Sequence, residues 1–478
     1  MRFIGNAPVD GEVRAIASGA LATGDTVVVN ADGTVSVVAG SNSSSGSPVV
    51  FNSATTTMQP SSSVYDSSNN KIVIAYKDYG NSQYGAAIVG TISGSTITFG
   101  SSTVFESASI EHQTITFDDN SNKVVIAYRD GGAGKAIVGT VSGTSISFGS
   151  STTFESSGIE GVGITFDTTN NKVVISYADL TSSSNGTAVV GTVSGTSISF
   201  GTPAVFEGGR TDYTSAAFDS SNNKVVISYS DKDNSNYGTA VVATVSGTSI
   251  SFGSVAVYTS EYAIYNAIVF DSSVNKVVIS YRAATDGDKG KSVVGTVSGT
   301  SISFGSAVTF ASGGAGIVSA TYDTSLNKVL VAYSDKGNSN YGTIALGSVS
   351  GTSISFASGG VFESAAADDI NITYDANANK SAVFYYDEGN SFYGTASVFT
   401  AGSTNLTSEN FVGFANSGYA DGQSAAINST CMVDSNQTSL TAGQTYYVQT
   451  SGALGTTPAD PSVVAGTAIS SNSIIVKG

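Results

Sequence analysis

Charge is scarce in this chain, and most of it has one sign. Asp, Glu, Lys and Arg make up 12% of the 478 residues, where about 25% is usual. Thirty-six acids face nineteen bases, for a net charge of −17. So few cations exclude the phosphate-neutralising surface on which nonspecific nucleic-acid binding rests. The single cysteine, Cys431, excludes an internal disulfide and a cysteine-rich zinc site. The single histidine, His112, leaves no second base for a serine triad and no partners for a histidine metal site. No apolar run reaches the ~18 residues of a membrane-spanning helix, so none is expected. The segment Met1–Pro8 has no apolar stretch of the ~7–15 residues that mark a secretory signal.

What the chain does have is a period. Lys71, Lys123, Lys172, Lys224, Lys276, Lys328 and Lys380 are separated by 52, 49, 52, 52, 52 and 52 residues. Each lysine follows an asparagine and opens a short apolar run, as in Asn223-Lys224-Val225-Val226-Ile227. A fixed period of about 50 residues marks units whose apolar faces are buried only by stacking on their neighbours. One unit reads as four strands. Ser215–Phe218 comes first, then Lys224–Ser230, Thr239–Val245, and Ser249–Gly253 running on toward Tyr258. The intervening segments are rich in Asn, Asp, Ser and Gly, as turns and loops are.

Four antiparallel strands per unit, without helical periodicity, is the content of one propeller blade, and seven units fall within the usual ~4–8. The ends also fit together. Pro48–Ser53 matches the tail of a fourth strand, Ser101–Glu106, while the seventh unit leaves the pattern after its third strand, Gly394–Phe399. The first segment is therefore expected to supply the outer strand of the last blade, which removes an exposed edge. The expected fold is all-β: a seven-bladed β-propeller of four-stranded antiparallel blades over residues 47–402, its last blade completed from about 47–54. Residues 1–46 and 403–478 hold further strand signals, among them the hairpin turn Ala31-Asp32-Gly33. Each flank is too short for a good core of its own. They are expected to fold as one small β domain into which the propeller is inserted.

The C-terminal phrases Leu406–Phe414, Tyr419–Gly422, Leu440–Thr450, Pro461–Ala468 and Ile475–Gly478 resemble the closing module of virion structural proteins of marine tailed phages, including cyanophage tail-fibre-like proteins. The repeat phrase at Gly191–Gly201 is similar to repeats in the same group. The resemblance implies a bacteriophage virion structural protein: a tail fibre, spike or head decoration. Such a protein is made in the bacterial host cytoplasm without a signal peptide. It implies other virion proteins as partners, homo-oligomer formation and host attachment as an adhesin. It brings no site residues.

Comparison of the units with one another separates two faces. The turns at Asp219–Asn223 and Ser246–Thr248 recur almost unchanged. The loops of the other face differ from unit to unit, and variable loops on a rigid scaffold are where binding residues gather. Glu111, His112, Glu160, Arg210, Asp212, Tyr213, Glu261, Tyr262, Tyr265, Asp368, Asp369 and Asn371 lie in those connections. Tyrosines and amides suit a host surface glycan, which offers apolar C–H faces and hydroxyls. The expected role is ligand binding, with drift in unselected loops and a purely structural decoration as the alternatives. His112 alone reads as a solvated loop residue. The loops of Asp-x-Gly-Asn type invite calcium but lack the spacing of a known calcium loop. A polysaccharide-degrading enzyme would need two carboxylates ~5–9.5 Å apart. A sialidase-like site would also need an arginine cluster, and only Arg210 is available. No enzyme activity, cofactor, metal, nucleic acid or membrane insertion is expected.

Overall fold

The computed structural model describes residues 11–58, 62–459 and 461–477. Within them the chain is all-β, with antiparallel sheets, a few short 3-10 turns and no α-helix. It divides into two compact units, residues 44–400 and residues 1–43 with 401–478. The divisions lie a few residues before the positions 46 and 402 expected from sequence.

In the large unit each period lysine opens a strand: Lys71–Asp78, Lys123–Asp130, Lys172–Asp179, Lys224–Asp231, Lys276–Ala283, Lys328–Asp335 and Lys380–Asp387. The asparagine before it turns the corner. Asn70, Asn122, Asn171, Asn223, Asn275, Asn327 and Asn379 all have φ between 51° and 55°, a left-handed conformation that asparagine tolerates. The aspartate that begins each turn is buried and caps it; Asp219 accepts the backbone N–H groups of Ser221 and Asn222 at 2.9 and 3.0 Å.

The fourth repeat shows the pattern. Its first strand is the second half of Ala204–Asp219, pairing Asp219 with Lys224; Lys224–Asp231 pairs with Tyr237–Ser246, and that with Ser249–Phe252. The fourth position is completed by the first part of Ala256–Asp271, which then crosses to become the first strand of the fifth repeat. One long strand thus serves two sheets. In the seventh repeat the fourth position is taken by Ser44–Ser45 and Val49–Thr57, with Val49 opposite Ala396 and Ser45 opposite Phe399.

Aromatic rings fill each sheet. Tyr229 of the second strand meets Phe206 at 5.2 Å, and Phe206 meets Phe252 at 5.7 Å. The same trio occurs as Tyr128, Phe105 and Phe148. Phe51 joins the last repeat to the first, touching Phe384 at 6.0 Å and Tyr76 at 5.3 Å. First strands of successive repeats contact one another, and Ser63–Asp66 of the first repeat touches both Thr103–Asp118 and Ser353–Asp375.

The small unit holds two five-stranded sheets. One is ordered Glu12–Ile16, Ser424–Asn428, Phe411–Ala415, Thr26–Val29 and Val35–Val37, so two strands from the C-terminal end lie between strands from the N-terminal end. The other comprises Val433–Asp434, Ile474–Val476, Val463–Ala468, Thr445–Val448 and Leu454–Gly455. Val28, Leu406, Phe414, Tyr446 and Val448 share one core. Asp434 is fully buried but satisfied, accepting from the side-chain amides of Asn428, Asn436 and Gln437 at 2.8–3.0 Å.

Candidate functional site

The connections expected to be loops are strands. Glu111 and His112 lie in Thr103–Asp118, Glu160 in Ile159–Asp167, and Arg210, Asp212 and Tyr213 in Ala204–Asp219. Glu261, Tyr262 and Tyr265 lie in Ala256–Asp271, and Asp368, Asp369 and Asn371 in Ser353–Asp375. What breaks their regularity is a β-bulge near the start of the first strand in the second to seventh repeats. The register slips between Glu111 and Thr114, Glu160 and Gly163, Asp212 and Ser215, Ile264 and Ala267, and Asp368 and Asn371. An extra residue in one strand bends it and re-aims a side chain.

In five repeats the bulged residue stands eleven positions before the period lysine: His112, Gly161, Tyr213, Tyr265 and Asp369; the sixth repeat has Ile317 there, without left-handed backbone. All five are left-handed, with φ of 53°, 56°, 50°, 52° and 48°. Such backbone is costly for a histidine, tyrosine or aspartate, by about 1–3 kcal/mol each, and persists only where the surroundings impose it. Here neighbouring first strands hold it. Thr214 donates its hydroxyl to the Gly161 carbonyl oxygen, and Asn266 Nδ2 donates to the Tyr213 carbonyl oxygen at 3.2 Å.

A cavity of about 80 Å³ opens at this row. His112, Thr114, Gly161, Asp212, Tyr213 and Tyr265 line it. The Tyr213 and Tyr265 rings meet edge to face at 5.3 Å, and the Arg282 guanidinium lies 6.0 Å from the centre of the Tyr265 ring. Asp212 accepts the Tyr213 backbone N–H at 2.9 Å and pairs with Lys232 Nζ at 2.8 Å. Thr114 is 2% exposed and its hydroxyl has no hydrogen-bond partner. A buried hydroxyl left unpaired costs about 1–3 kcal/mol.

His112 is therefore no solvated loop residue. It is half-buried in the cavity wall, and burial pulls its pKa below the usual imidazole value against the opposing pull of Glu111, Glu160 and Asp212. At neutral pH the ring is uncharged, a donor at one nitrogen and an acceptor at the other.

The other candidates scatter. Glu111 pairs with Arg129 at 3.1 Å, and Arg210 with Asp233 at 2.9 Å in the open. Glu261 pairs with Lys291 at 2.6 Å. Glu160 is within electrostatic reach of His112, but neither it nor Tyr262 lines the cavity; Tyr262 stands opposite Tyr237 in the sheet. Asp368 and Asp369 form a separate acidic pair. Asp369 accepts the Met58 backbone N–H at 3.4 Å, and burial, then the charge of Asp368, pushes its carboxyl up to about 7. Asn371 was expected on a loop but is 1% exposed in the strand, where its carbonyl accepts the Ser63 hydroxyl. That side chain joins two first strands and faces no solvent.

The sequence reading omitted Thr114, Gly161, Thr214 and Asn266. A signal was present, since aligning the units on the lysine places Gly161 in the column that holds His112, Tyr213, Tyr265 and Asp369. Among the described residues no three His, Cys, Asp or Glu side chains cluster as metal ligands would.

No family model matches the chain, and no curated protein does. Among solved structures, the BP39L lectin from Burkholderia pseudomallei is similar at a TM-score of 0.55 and 11% identity, over 73% of this chain and 98% of the lectin. Sqt1 from Chaetomium thermophilum is similar at 0.45 and 11%, over 72% and 84%. A triple arginine-to-alanine mutant of AofleA from Arthrobotrys oligospora is similar at 0.41 and 7%, over 69% and 92%. At such identities the likeness to the lectin is one of fold: the chain has a propeller-like, all-β fold.

Proposed function

We propose that this chain is a carbohydrate-binding propeller displayed on a tailed-phage particle. Seven sheets closing into a ring is the architecture this reading requires. Its support is the contact of Ser63–Asp66 with first strands on both sides, and the pairing of Val49–Thr57 with Tyr393–Thr400. The observation that carries the binding role is the cavity at the bulges, with two tyrosine rings, an uncharged imidazole and an unpaired threonine hydroxyl in one wall. Aromatic faces take the C–H surface of a sugar, and few, well-placed polar groups take its hydroxyls. The lectin likeness in fold agrees with this use.

The virion role rests on the C-terminal phrases from Leu406 to Lys477. In that role the small unit, built from both chain ends, would attach the protein to other virion proteins or join copies of it. We read the cavity as a binding site and not a catalytic one, because Glu111 and Asp212, two of the carboxylates beside His112, are each paired with a cation.

The test is glycan-array binding by the full chain, with antibody labelling of intact particles. Binding lost in Tyr213→Ala and Tyr265→Ala supports the reading. An array without binding, on a protein that labels the particle, leaves a structural decoration in its place.

A further inference from the structure

The cavity lies where one repeat lacks a side chain that its neighbours have. His112, Tyr213 and Tyr265 each project a ring from the bulge, whereas Gly161, between His112 and Tyr213 in the series, projects nothing. A Cβ on Gly161 would stand 3.1 Å from the Tyr213 backbone nitrogen and 3.5 Å from Asp212 Oδ1, so the vacancy borders both. Among the described bulges in the first strands of the repeats, Gly161 is the one glycine with a left-handed φ. Among the described residues the vacancy therefore occurs once, although the scaffold repeats.

The wall defines the chemistry. Thr114 Oγ1 has no partner, and His112 offers one neutral donor and one neutral acceptor. The Tyr213 and Tyr265 rings give an apolar surface. The cations nearby are already held: Arg129 by Glu111, Lys232 by Asp212 and Arg282 by Asp288. A carboxylated ligand would have to compete with those carboxylates for a cation, whereas an uncharged polyol would not.

We propose that the Gly161 vacancy is a subsite for a single neutral monosaccharide residue, one per chain and not one per repeat, which discriminates against carboxylated sugars. This deepens the carbohydrate reading and rests on it.

The probes are methyl glycosides of galactose, mannose and fucose and free N-acetylglucosamine, with glucuronic acid and N-acetylneuraminic acid as the acidic set. Each is titrated into the full chain by calorimetry and by saturation-transfer NMR. The expected result is a stoichiometry of one for at least one neutral sugar and at least tenfold weaker binding of the acidic set. Gly161→Tyr, which places in the third repeat the residue that the fourth repeat carries at the same bulge, is expected to abolish binding and to lower the melting temperature modestly, since a tyrosine there takes on left-handed backbone. Gly161→Asn serves if that variant does not fold, since asparagine accepts the left-handed backbone. Thr114→Val is expected to weaken binding about tenfold. Several sites per chain, or binding untouched by substitution at Gly161, overturns this subsite and leaves the carbohydrate reading standing. A preference for the acidic set overturns the ligand class. No binding of any glycan, here or on an array, overturns both.

Discussion

Gly46 and Ser95 touch so closely that a Cβ on Gly46 would stand 1.7 Å from the Ser95 carbonyl oxygen. Gly46 belongs to the segment that completes the seventh sheet, and Ser95 to the turn between the third and fourth strands of the first. The contact repeats along the chain, as between Gly201 of the third sheet and the Thr248 carbonyl oxygen of the fourth, at 1.9 Å. In each case the Ser-Gly-Thr or Ser-Gly-Ser turn of one sheet sits on a glycine that ends the strand run of the sheet before it. The seventh repeat has no such turn, and the matching position in the sixth is Ala357. The glycine is absent where no carbonyl needs the space.

Gly46→Val is therefore expected to destabilise the large unit by about 1–3 kcal/mol, because backbone gives way less readily than a side chain. Ala357→Gly is expected to cost about 0.5–1 kcal/mol, the ordinary entropy of glycine in a strand. Urea unfolding of both variants is the measurement. Equal effects would remove the steric account.

Phe51 packs against rings from two sheets, Phe384 and Tyr76. Phe51→Ala is expected to cost about 3–5 kcal/mol, as large-to-small changes in cores do. Val50, its neighbour, is 41% exposed, and Val50→Ala is expected to stay within about 0.5 kcal/mol. Thermal melting separates the two. A mild Phe51→Ala would mean that the segment contributes little to joining the last sheet to the first.

The seven second-strand tyrosines differ at their hydroxyls. Tyr229 donates to Glu207 at 3.0 Å, while the Tyr177 hydroxyl is buried without a partner. Tyr229→Phe is expected to lose about 1.5–3 kcal/mol, the range for a bond to a charged group, and Tyr177→Phe to be neutral or stabilising. Denaturant midpoints measured side by side decide it. A loss in Tyr177→Phe would reveal a partner for that hydroxyl.

Asp369 makes stability depend on pH. Its folded pKa of about 7 lies above the unfolded value, which is ~3.9. Between these values the folded chain binds the extra proton, so stability falls as pH rises from ~4 toward ~7 and stays low above it. Asp369→Asn is expected to match the parent near pH 4 and exceed it by roughly 1–3 kcal/mol at pH 8. Melting temperatures across that range test the slope. A parent whose stability rises steadily to pH 8 relative to the variant would reverse the sign.

The strands were legible because their boundaries are written in turn chemistry. The asparagine before each lysine is the residue that must adopt positive φ, and the aspartate four positions ahead of it is the cap. The sequence also marks the seam, through the likeness of Pro48–Ser53 to Ser101–Glu106; the segment lies against the third strand of the seventh repeat. The bulges were not legible. His112 and Tyr213 are not residues that announce left-handed backbone, and the strain is imposed by neighbouring strands far away in sequence. Without the bulge there was no way to see that Asn371 turns into the protein or that Gly161 leaves room. Internal alignment shows which column varies, but only the packing shows what the variation opens.

The alanine at 357 also sets a direction of failure. Six joins between neighbouring sheets are pinned at one end by a turn seated on a glycine; the seventh, between the sixth and seventh sheets, has no such pin among the described residues. Heat or mechanical load would part the array there first. The noncovalent junction between Phe51 and Tyr76 would then still be shut.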